Sequence, residues 1–173
     1  MASSPARAGS ATDPVRVAIA LGSNLGDREG TLTAAAAQLA ALLDRFTLSS
    51  RHDTAPVGVP DPQPRYLNAA GVGFTRLGPR ELLARLHDIE RAFGRERSVP
   101  NASRTLDLDL VLYGDLVVNE PGLTIPHPRF RERAFVLAPL AEVAPDMIEP
   151  VTGRTVRDLE AALRSTDYTD FTD

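Results

Sequence analysis

The residues of this chain best suited to chemistry are two carboxylates, Asp107 and Asp109, in an apolar run. The run covers 104–114 (RTLDLDLVLYG) and has leucine at 106, 108, 110 and 112. This alternation predicts a β-strand in which the carboxylates share one face, roughly 7 Å apart along the chain, while the leucines face the core. Such a pair suits Mg²⁺, which proteins bind through one or two carboxylates together with substrate phosphates. The alternative is an edge strand with a solvated polar face.

Arginines precede this pair and could bind a phosphate group beside it. The stretch 95–103 (RERSVPNAS) shows no hydrophobic periodicity, carries Arg95 and Arg97, and leads to Arg104. Phosphoryl transfer needs groups that hold the anion and a segment that closes to exclude water. An arginine-bearing loop next to two carboxylates could supply both the groups that hold the anion and the segment that closes.

The composition narrows the class of protein. The 173 residues are 43% hydrophobic, which predicts one domain with a sizeable core. The sequence has no cysteine, which excludes disulfides and thiolate sites, and no lysine, which leaves arginine as the permanent cationic phosphate ligand. A net charge of −4 argues against general binding to nucleic acids or anionic membranes. Apolar runs fall short of the ~20 residues of a membrane helix, and 1–13 lack the apolar core of a signal peptide, so a cytoplasmic protein is expected.

Periodicity and turn residues predict alternating strands and helices over 14–164, between a disordered tail at 1–13 and a frayed tail at 165–173. Besides the carboxylate strand, the predicted strands are 15–21, 46–52, 66–75 and 116–118. Helices are predicted after Asp27, which can cap the first, after Gly78-Pro79, and over 154–164. The turn 22–27 is a plain tight turn or a phosphate cradle.

Several polar residues could serve either structure or binding. Asn68 lies in an otherwise apolar strand, where its amide could make a structural hydrogen bond or bind the amide edge of a heterocycle. His87 and Glu90 share a helix face, either as a solvated pair or as ligands at a pocket rim. The proline-rich segment 53–65 could form a pocket wall or a rigid connector.

A histidine between two prolines, His127, is followed by three alternating arginines at 129, 131 and 133. The histidine is locally rigid and could be a ligand or a hydrogen-bonded strut. Only one or two of the arginines can face the same side as the histidine.

Seven stretches together resemble one family, the 6-hydroxymethyl-7,8-dihydropterin pyrophosphokinases of folate synthesis. They are AIALGSNLGD (18–27), TAPVG (54–58), YLNAA (66–70), IERAFGRER (89–97), RTLDLDLVLYGD (104–115), LTIPHPR (123–129) and RAFVLAPLAEVAP (133–145). They run in order over nearly the whole predicted domain. The RTLDLDL segment is specific to the family, whereas a lone Asp-x-Asp pair would not be.

The resemblance implies an α+β fold: a single-domain ferredoxin-like sandwich whose antiparallel sheet carries helices and an added β element. It also implies transfer of the β,γ-pyrophosphoryl group of MgATP to the hydroxymethyl oxygen of the pterin, with AMP as the second product. The implied partners are two small molecules, ATP and the pterin, with two Mg²⁺ ions. Nucleic acid and membrane take no part, and a monomer is expected.

The resemblance assigns roles to individual residues. Asp107 and Asp109 are the implied metal ligands and, with Arg97 and Arg104, the implied catalytic residues. The implied ATP ligands are His87, Glu90, Arg97, Arg104, Leu110, Thr124, His127 and Arg133. The implied pterin ligands are Thr54, Ala55, Val57, Tyr66, Asn68, Asp107 and Phe135, of which Phe135 stacks on the ring and Asn68 binds its pyrimidine edge.

Two features depart from the family pattern. Pro100, Asn101 and Ala102 stand where members often carry a basic residue, a tryptophan and a small residue, and the loop from Arg97 to Arg104 is one residue shorter. Pro128 stands where some members have an aromatic residue. We therefore expect a working enzyme whose lid over the pterin is built differently.

Two other functions remain open at this point. The same aspartates could serve another Mg-dependent phosphotransferase or a nuclease, although the net charge of −4 counts against a nuclease. The chain could also be a non-catalytic ferredoxin-like ligand-binding module. Such a module would not need Arg97, Arg104, His127 and Arg133 to converge on the aspartates.

Overall fold

The computed structural model describes residues 13–24, 26–54, 65–94 and 106–169, which contain seven strands and four α-helices. The strands are β1 (Val15–Ser23), β2 (Asp44–Leu48), β3 (His52–Thr54), β4 (Tyr66–Thr75), β5 (Asp107–Tyr113), β6 (Val118–Glu120) and β7 (Leu123–Ile125). The α-helices are α1 (Arg28–Leu42), α2 (Pro79–Ala92), α3 (Ala134–Val143) and α4 (Val156–Thr169), and a 3₁₀ helix covers Phe130–Glu132. No helix in these ranges is both long and apolar enough to cross a bilayer.

Five strands form one antiparallel sheet in the order β2-β4-β1-β5, with β3 also paired to β4. On one face, Leu32 of α1 and Leu82 of α2 pack against Ile19 and its neighbours. On the other face, Leu137 of α3 and Val156 of α4 pack against alternate residues of the same strands. With β6 and β7 as an extra hairpin, the predicted α+β ferredoxin-like architecture is confirmed.

The helix starts follow the predicted caps. Asp27 Oδ1 accepts a hydrogen bond of 3.0 Å from the Gly30 N–H at the start of α1, and Gly78 precedes Pro79 at the start of α2. The last helix runs to Thr169, five residues beyond the predicted end at 164. At the start of this extension, the Ser165 and Thr166 hydroxyls donate to the backbone oxygens of Ala161 and Ala162, at 3.0 and 3.1 Å.

The strand predicted at 46–52 is wrong as one element, since the chain leaves the ladder between β2 and β3. The Ser49 hydroxyl replaces a backbone acceptor and receives the Ala70 N–H at 2.9 Å. The Ser50 N–H turns away from the sheet and donates to Glu142 of α3 at 2.9 Å. The strand predicted at 116–118 lies two residues later, as β6, because its pairing with β7 sets the register.

A register shift in β5 changes which way its leucines face. Ile19 pairs with Leu110 whereas Ala18 pairs with Leu112, so Val111 is an inserted bulge residue. Leucines 106, 108 and 110 pack beneath α1 and α2 as predicted, but Leu112 packs with α3 and α4, which corrects the prediction. The aspartates precede the bulge and keep one common face.

The close approach of Phe46 to Gly71 gives the first test. An ideal Cβ on Gly71 would lie 2.5 Å from Phe46 Cε2 and 2.6 Å from Cζ. We expect Gly71→Ala to lower the free energy of unfolding by about 1–3 kcal/mol in urea titrations, because the ring must move within a packed layer. The double variant G71A/F46L should be less destabilised than the sum of the two single changes. A G71A protein as stable as the wild type, or strict additivity of the two changes, would contradict this packing.

Candidate active site

The sheet face beneath α3 carries a row of residues that runs from Asn68 on β4 to Asp107 on β5. Gly22 of β1 lies between them, paired in register with Asn68 on one side and with Asp107 on the other. Directly paired residues of an antiparallel sheet point to the same face, and two strand spacings separate Asn68 from Asp107 by roughly 10 Å. The floor between them is low because glycine has no side chain. An amide and a carboxylate therefore stand at opposite ends of a flat gap.

A cavity of about 540 Å³ lies over this row. Its opposite wall is formed by the segment around the 3₁₀ helix and the first turn of α3. The structure brings together seven of the residues predicted for the site: Thr54, Tyr66, Asn68, Asp107, Asp109, Arg133 and Phe135 all line this cavity. A planar ring lying on Gly22 would have the carboxylates at one edge and the amide at the other.

The amide of Asn68 is fixed by its neighbour on β3. Asn68 Nδ2 donates a hydrogen bond of 2.6 Å to Thr54 Oγ1. This bond turns Oδ1 toward the floor, where an ideal Cβ on Gly22 would lie 3.1 Å from it. Since only 6% of Asn68 is exposed, its Oδ1 is a buried acceptor aimed over the gap, suited to a ligand N–H.

Polar contacts hold the wall around Thr54 in place on two sides. Arg65 Nε donates to Asp53 Oδ1 at 2.7 Å, and this hydrogen bond lowers the pKa of Asp53. On the other side, the Ser50 hydroxyl and His52 Nε2 donate to Glu142 Oε1 of α3, at 2.8 and 2.6 Å. Burial raises the pKa of Glu142, but the bonds from Ser50 and His52 outweigh that effect and lower it. The cavity wall around Thr54 of β3 (the β3 wall) and the wall formed by α3 (the α3 wall) are thus kept at a fixed separation.

Asp107 and Asp109 open into the cavity from one face of β5, as the alternation predicted. Their hard carboxylate oxygens fit Mg²⁺. Across the described ranges, no group of three His, Cys, Asp or Glu side chains that could hold a metal is present. A divalent ion on this pair would therefore complete its coordination with substrate oxygens and water.

His127 is anchored to the bulge of β5. Its backbone N–H donates to Val111 O at 3.0 Å, and its Nδ1 accepts the Arg129 N–H at 3.3 Å. Burial lowers the pKa of His127, the Asp109 carboxylate raises it, and Arg133 and Arg129 lower it further. The ring is therefore neutral near pH 7, and with Nδ1 acting as the acceptor its proton lies on Nε2.

Five of the described residues predicted for ATP lie outside the cavity lining: His127 and four others. Glu90 of α2 is only 1% exposed, and its Oε2 accepts the Leu108 N–H at 3.1 Å, at the edge of β5 between the two aspartates. His87 is half-buried on the same helix, Leu110 is buried in the core layer beneath α1 and α2, and Thr124 is exposed on β7. Ala55, Val57, Arg97 and Arg104 lie outside the described residues.

The cavity also includes residues to which the sequence assigned no ligand, among them Ala20, Gly22, Arg129 and Glu132. Ala20 and Gly22 could have been found only from strand pairing, because each matters through the aspartate it faces across the ladder. Of the three alternating arginines, Arg129 and Arg133 line the cavity while Arg131 turns away to Glu149. The prediction that only one or two of the three share a side is confirmed.

Comparison with known proteins identifies the family of this chain. Residues 18–145 match the family model described as 7,8-dihydro-6-hydroxymethylpterin-pyrophosphokinase. The chain is 42% identical over 143 residues to the Synechocystis sp. 2-amino-4-hydroxy-6-hydroxymethyldihydropteridine pyrophosphokinase, covering 82% of this chain and 72% of that protein. It is 44% identical over 136 residues to the Bacillus subtilis protein of the same name, covering 78% and 81%.

Longer proteins contain a related segment. The chain is 46% identical over 132 residues to a mitochondrial folate synthesis bifunctional protein of Arabidopsis thaliana, of which it spans 23%. Its fold is similar to that of Plasmodium falciparum HPPK-DHPS, with a TM-score of 0.73 at 13% identity, covering 93% of this chain and 47% of that one. The chain thus spans less than half of these longer proteins.

The family model covers most of the folded chain, and the Synechocystis and Bacillus proteins match the chain over most of their own length. The chain therefore belongs to the 7,8-dihydro-6-hydroxymethylpterin-pyrophosphokinase (HPPK) family.

Proposed function

We propose that this protein transfers the β,γ-pyrophosphoryl group of ATP to the hydroxymethyl oxygen of 6-hydroxymethyl-7,8-dihydropterin, giving AMP and the pterin diphosphate for folate synthesis. Family membership supports the reaction. The position proposed for the reaction rests on one observation: the row Asn68–Gly22–Asp107 lies beneath a cavity that is also lined by Asp109, Arg133 and Phe135.

The pterin lies on the sheet over Gly22 in this proposal. Asn68 Oδ1, oriented by Thr54, accepts a hydrogen bond from the pyrimidine edge of the ring. Phe135 stacks on the ring from the α3 side, and Tyr66 completes the wall near β3. This orientation directs the opposite edge of the ring, with its hydroxymethyl group, toward Asp107.

The phosphates lie between the aspartates and the arginines. Asp107 and Asp109 would hold Mg²⁺, proposed as two ions, with the phosphate oxygens as further ligands. When bound, the metal neutralises the charge that develops on the transferring group and lowers the pKa of the attacking hydroxyl. The Arg133 guanidinium lies 5.5 Å from the centroid of the Phe135 ring, a cation–π contact that holds the charge at the cavity wall. Arg129 lines the same wall and can add a second contact to the phosphates.

The nucleoside part of ATP is proposed to bind beyond the edge of β5, between α2 and β7. His87, Glu90, Leu110, Thr124 and His127 are the residues proposed for that side, with Arg97 and Arg104 as further phosphate ligands. The neutral His127 can donate its Nε2–H to a phosphate oxygen. Glu90 has a second role in any such arrangement, because its bond to the Leu108 N–H supports the strand that presents both aspartates.

Product analysis tests the reaction directly. The protein is incubated with ATP, MgCl₂ and the pterin, and the nucleotides are separated by chromatography. We expect AMP, formed only when pterin and Mg²⁺ are both present. Formation of ADP instead would make the protein an ordinary kinase, and absence of any nucleotide product would contradict the proposed activity.

Removing one metal ligand gives the first prediction for the site. Asp109→Asn should lower kcat for AMP formation by about a thousandfold or more, because the ion loses a charged ligand while the fold keeps its shape. The free energy of unfolding should change by less than about 0.5 kcal/mol, since the side chain is partly exposed. Asp115→Asn, in the exposed turn just after β5, is the matched control and should retain wild-type rates. Near-normal turnover by D109N would remove the aspartate pair from the mechanism.

Removing the amide tests the orientation of the pterin. Asn68→Ala should raise KM for the pterin by about 10- to 100-fold, the effect of losing one buried hydrogen bond to the ligand, while KM for ATP stays within about twofold. Steady-state kinetics with each substrate varied in turn separates the two constants. Gln38→Ala removes an exposed amide from α1, on the opposite face of the sheet, and serves as the control. An equal rise in both KM values would argue against a pterin-specific contact.

A further inference from the structure

A buried carboxylate lies behind the cavity wall, in the connection between α3 and α4. Glu149 is fully buried, and its Oε1 accepts the Val151 N–H and Arg131 Nη2–H, each at 2.7 Å. Its Oε2 accepts the Thr152 N–H at 2.9 Å and also the Thr152 hydroxyl. The turn itself is closed by a backbone bond of 2.8 Å from the Gly153 N–H to Glu149 O. The carboxylate therefore occupies a rigid set of donors that the turn supplies.

This carboxylate is ionised wherever the enzyme can be assayed. Burial raises the pKa of Glu149, but the hydrogen bonds from Arg131, Thr152 and the backbone outweigh burial and lower it to about 2. Because the folded-state pKa is depressed, the stabilisation is complete above the ordinary pKa of a glutamate and is lost only as the pH falls toward 2. The charge pair with Arg131 is thus constant near neutral pH.

The partner of Glu149 is the middle member of the three alternating arginines. Arg131 lies in the 3₁₀ helix, between Arg129 and Arg133, which both line the cavity. Its guanidinium lies 5.2 Å from the centroid of Phe130, a ring that is fully buried beneath the 3₁₀ helix. Arg131 therefore faces the α3–α4 side while its two neighbours face the aspartates.

We propose that the Arg131–Glu149 pair positions Arg129 and Arg133 for the triphosphate. The 3₁₀ helix has only three residues, and Arg129 and Arg133 flank its two ends. Holding the Arg131 side chain on the side away from the cavity therefore also fixes the directions of Arg129 and Arg133. Rotation of the 3₁₀ helix would bring Arg131 toward the cavity and carry its neighbours out of it, and the buried pair opposes that rotation. Glu149 is a positioning residue that touches no substrate. The inference rests on the proposed function, in which Arg129 and Arg133 contact the phosphates.

Two single variants and their combination test the pair. Arg131→Met removes the guanidinium but leaves the turn that holds Glu149, and Glu149→Gln removes the charge while keeping the size of the side chain. We expect each to raise KM for MgATP about tenfold, with a smaller fall in kcat, because the phosphate ligands are misplaced. The pterin Kd, measured by fluorescence, should change by less than about twofold. The double variant should be no worse than the worse single variant, since both act through one contact.

The control variant removes a charge from the same connection. Asp146→Asn removes the negative charge from the contact of 3.5 Å between Arg16 and Asp146, three residues before Glu149, and should leave KM for MgATP unchanged. Arg131→Lys keeps the positive charge but loses the planar guanidinium group, and it should give a KM for MgATP between those of the wild type and Arg131→Met. If Arg131→Met does not fold, the KM of Arg131→Lys for MgATP still tests the pair.

The proposal is overturned if the folded variants have a lowered melting temperature but a wild-type KM for MgATP. The Arg131–Glu149 pair would then have a purely structural role. Failure of the proposed function is distinguishable, because it is seen in the wild type as absence of AMP. In that case, calorimetric binding of a non-hydrolysable ATP analogue to the wild type and to Arg131→Met still decides the positioning role. Equal affinities would refute it, and a weaker variant would support it.

Discussion

The site depends on the register in which β1 pairs with β4 on one side and with β5 on the other. That register places Gly22 between Asn68 and Asp107, and Ala20 beside Asp109. It is held by the opposite face of the same strands, where Ile19, Leu21, Leu67, Leu108 and Leu110 share one apolar core with α1 and α2. A slip of one residue in β5 would turn both carboxylates into that core and two leucines toward the cavity. The hydrophobic pattern of one face therefore determines the chemistry of the other.

Three polar contacts attach the walls of the cavity to this sheet. Glu142 connects α3 to Ser50 and His52, the Asp53–Arg65 pair closes the base of the β3 wall, and Glu149 anchors the 3₁₀ helix through Arg131. They differ in strength because they differ in burial: an exposed pair such as Asp53–Arg65 contributes little, whereas a fully buried carboxylate is costly to leave without its partners. The wall that contains Arg129 and Arg133 therefore depends on one buried side chain, Glu149, more than the other walls depend on any single residue.

Features set by neighbouring residues could be predicted from the sequence, and features set by distant residues could not. The alternation around Asp107 and Asp109 and the caps at Asp27 and Gly78 depend on residues close in the chain, and the structure has them as predicted. The bulge that turns Leu112 depends on the partner strand β1, and the break after β2 depends on Glu142, far along the chain. Which arginine faces away depends on Glu149 for the same reason. Asn68 could be singled out from the sequence because a polar residue in a buried strand requires a hydrogen-bond partner, and it lines the cavity. The roles of Ala55, Val57, Arg97 and Arg104 remain predictions.

The meeting of metal and pterin over the sheet can be measured by the paramagnetic relaxation of bound pterin protons, with Mn²⁺ in place of Mg²⁺ and a non-hydrolysable ATP analogue present. If the pterin lies over Gly22, with its pyrimidine edge at Asn68, its hydroxymethyl protons lie next to any metal ion held by Asp107 and Asp109. We expect these protons to relax faster than any others on the pterin, and Asp109→Asn to abolish the effect. Equal relaxation of all pterin protons, or an effect that persists unchanged in the variant, would show that the metal and the pterin do not meet where the sheet places them.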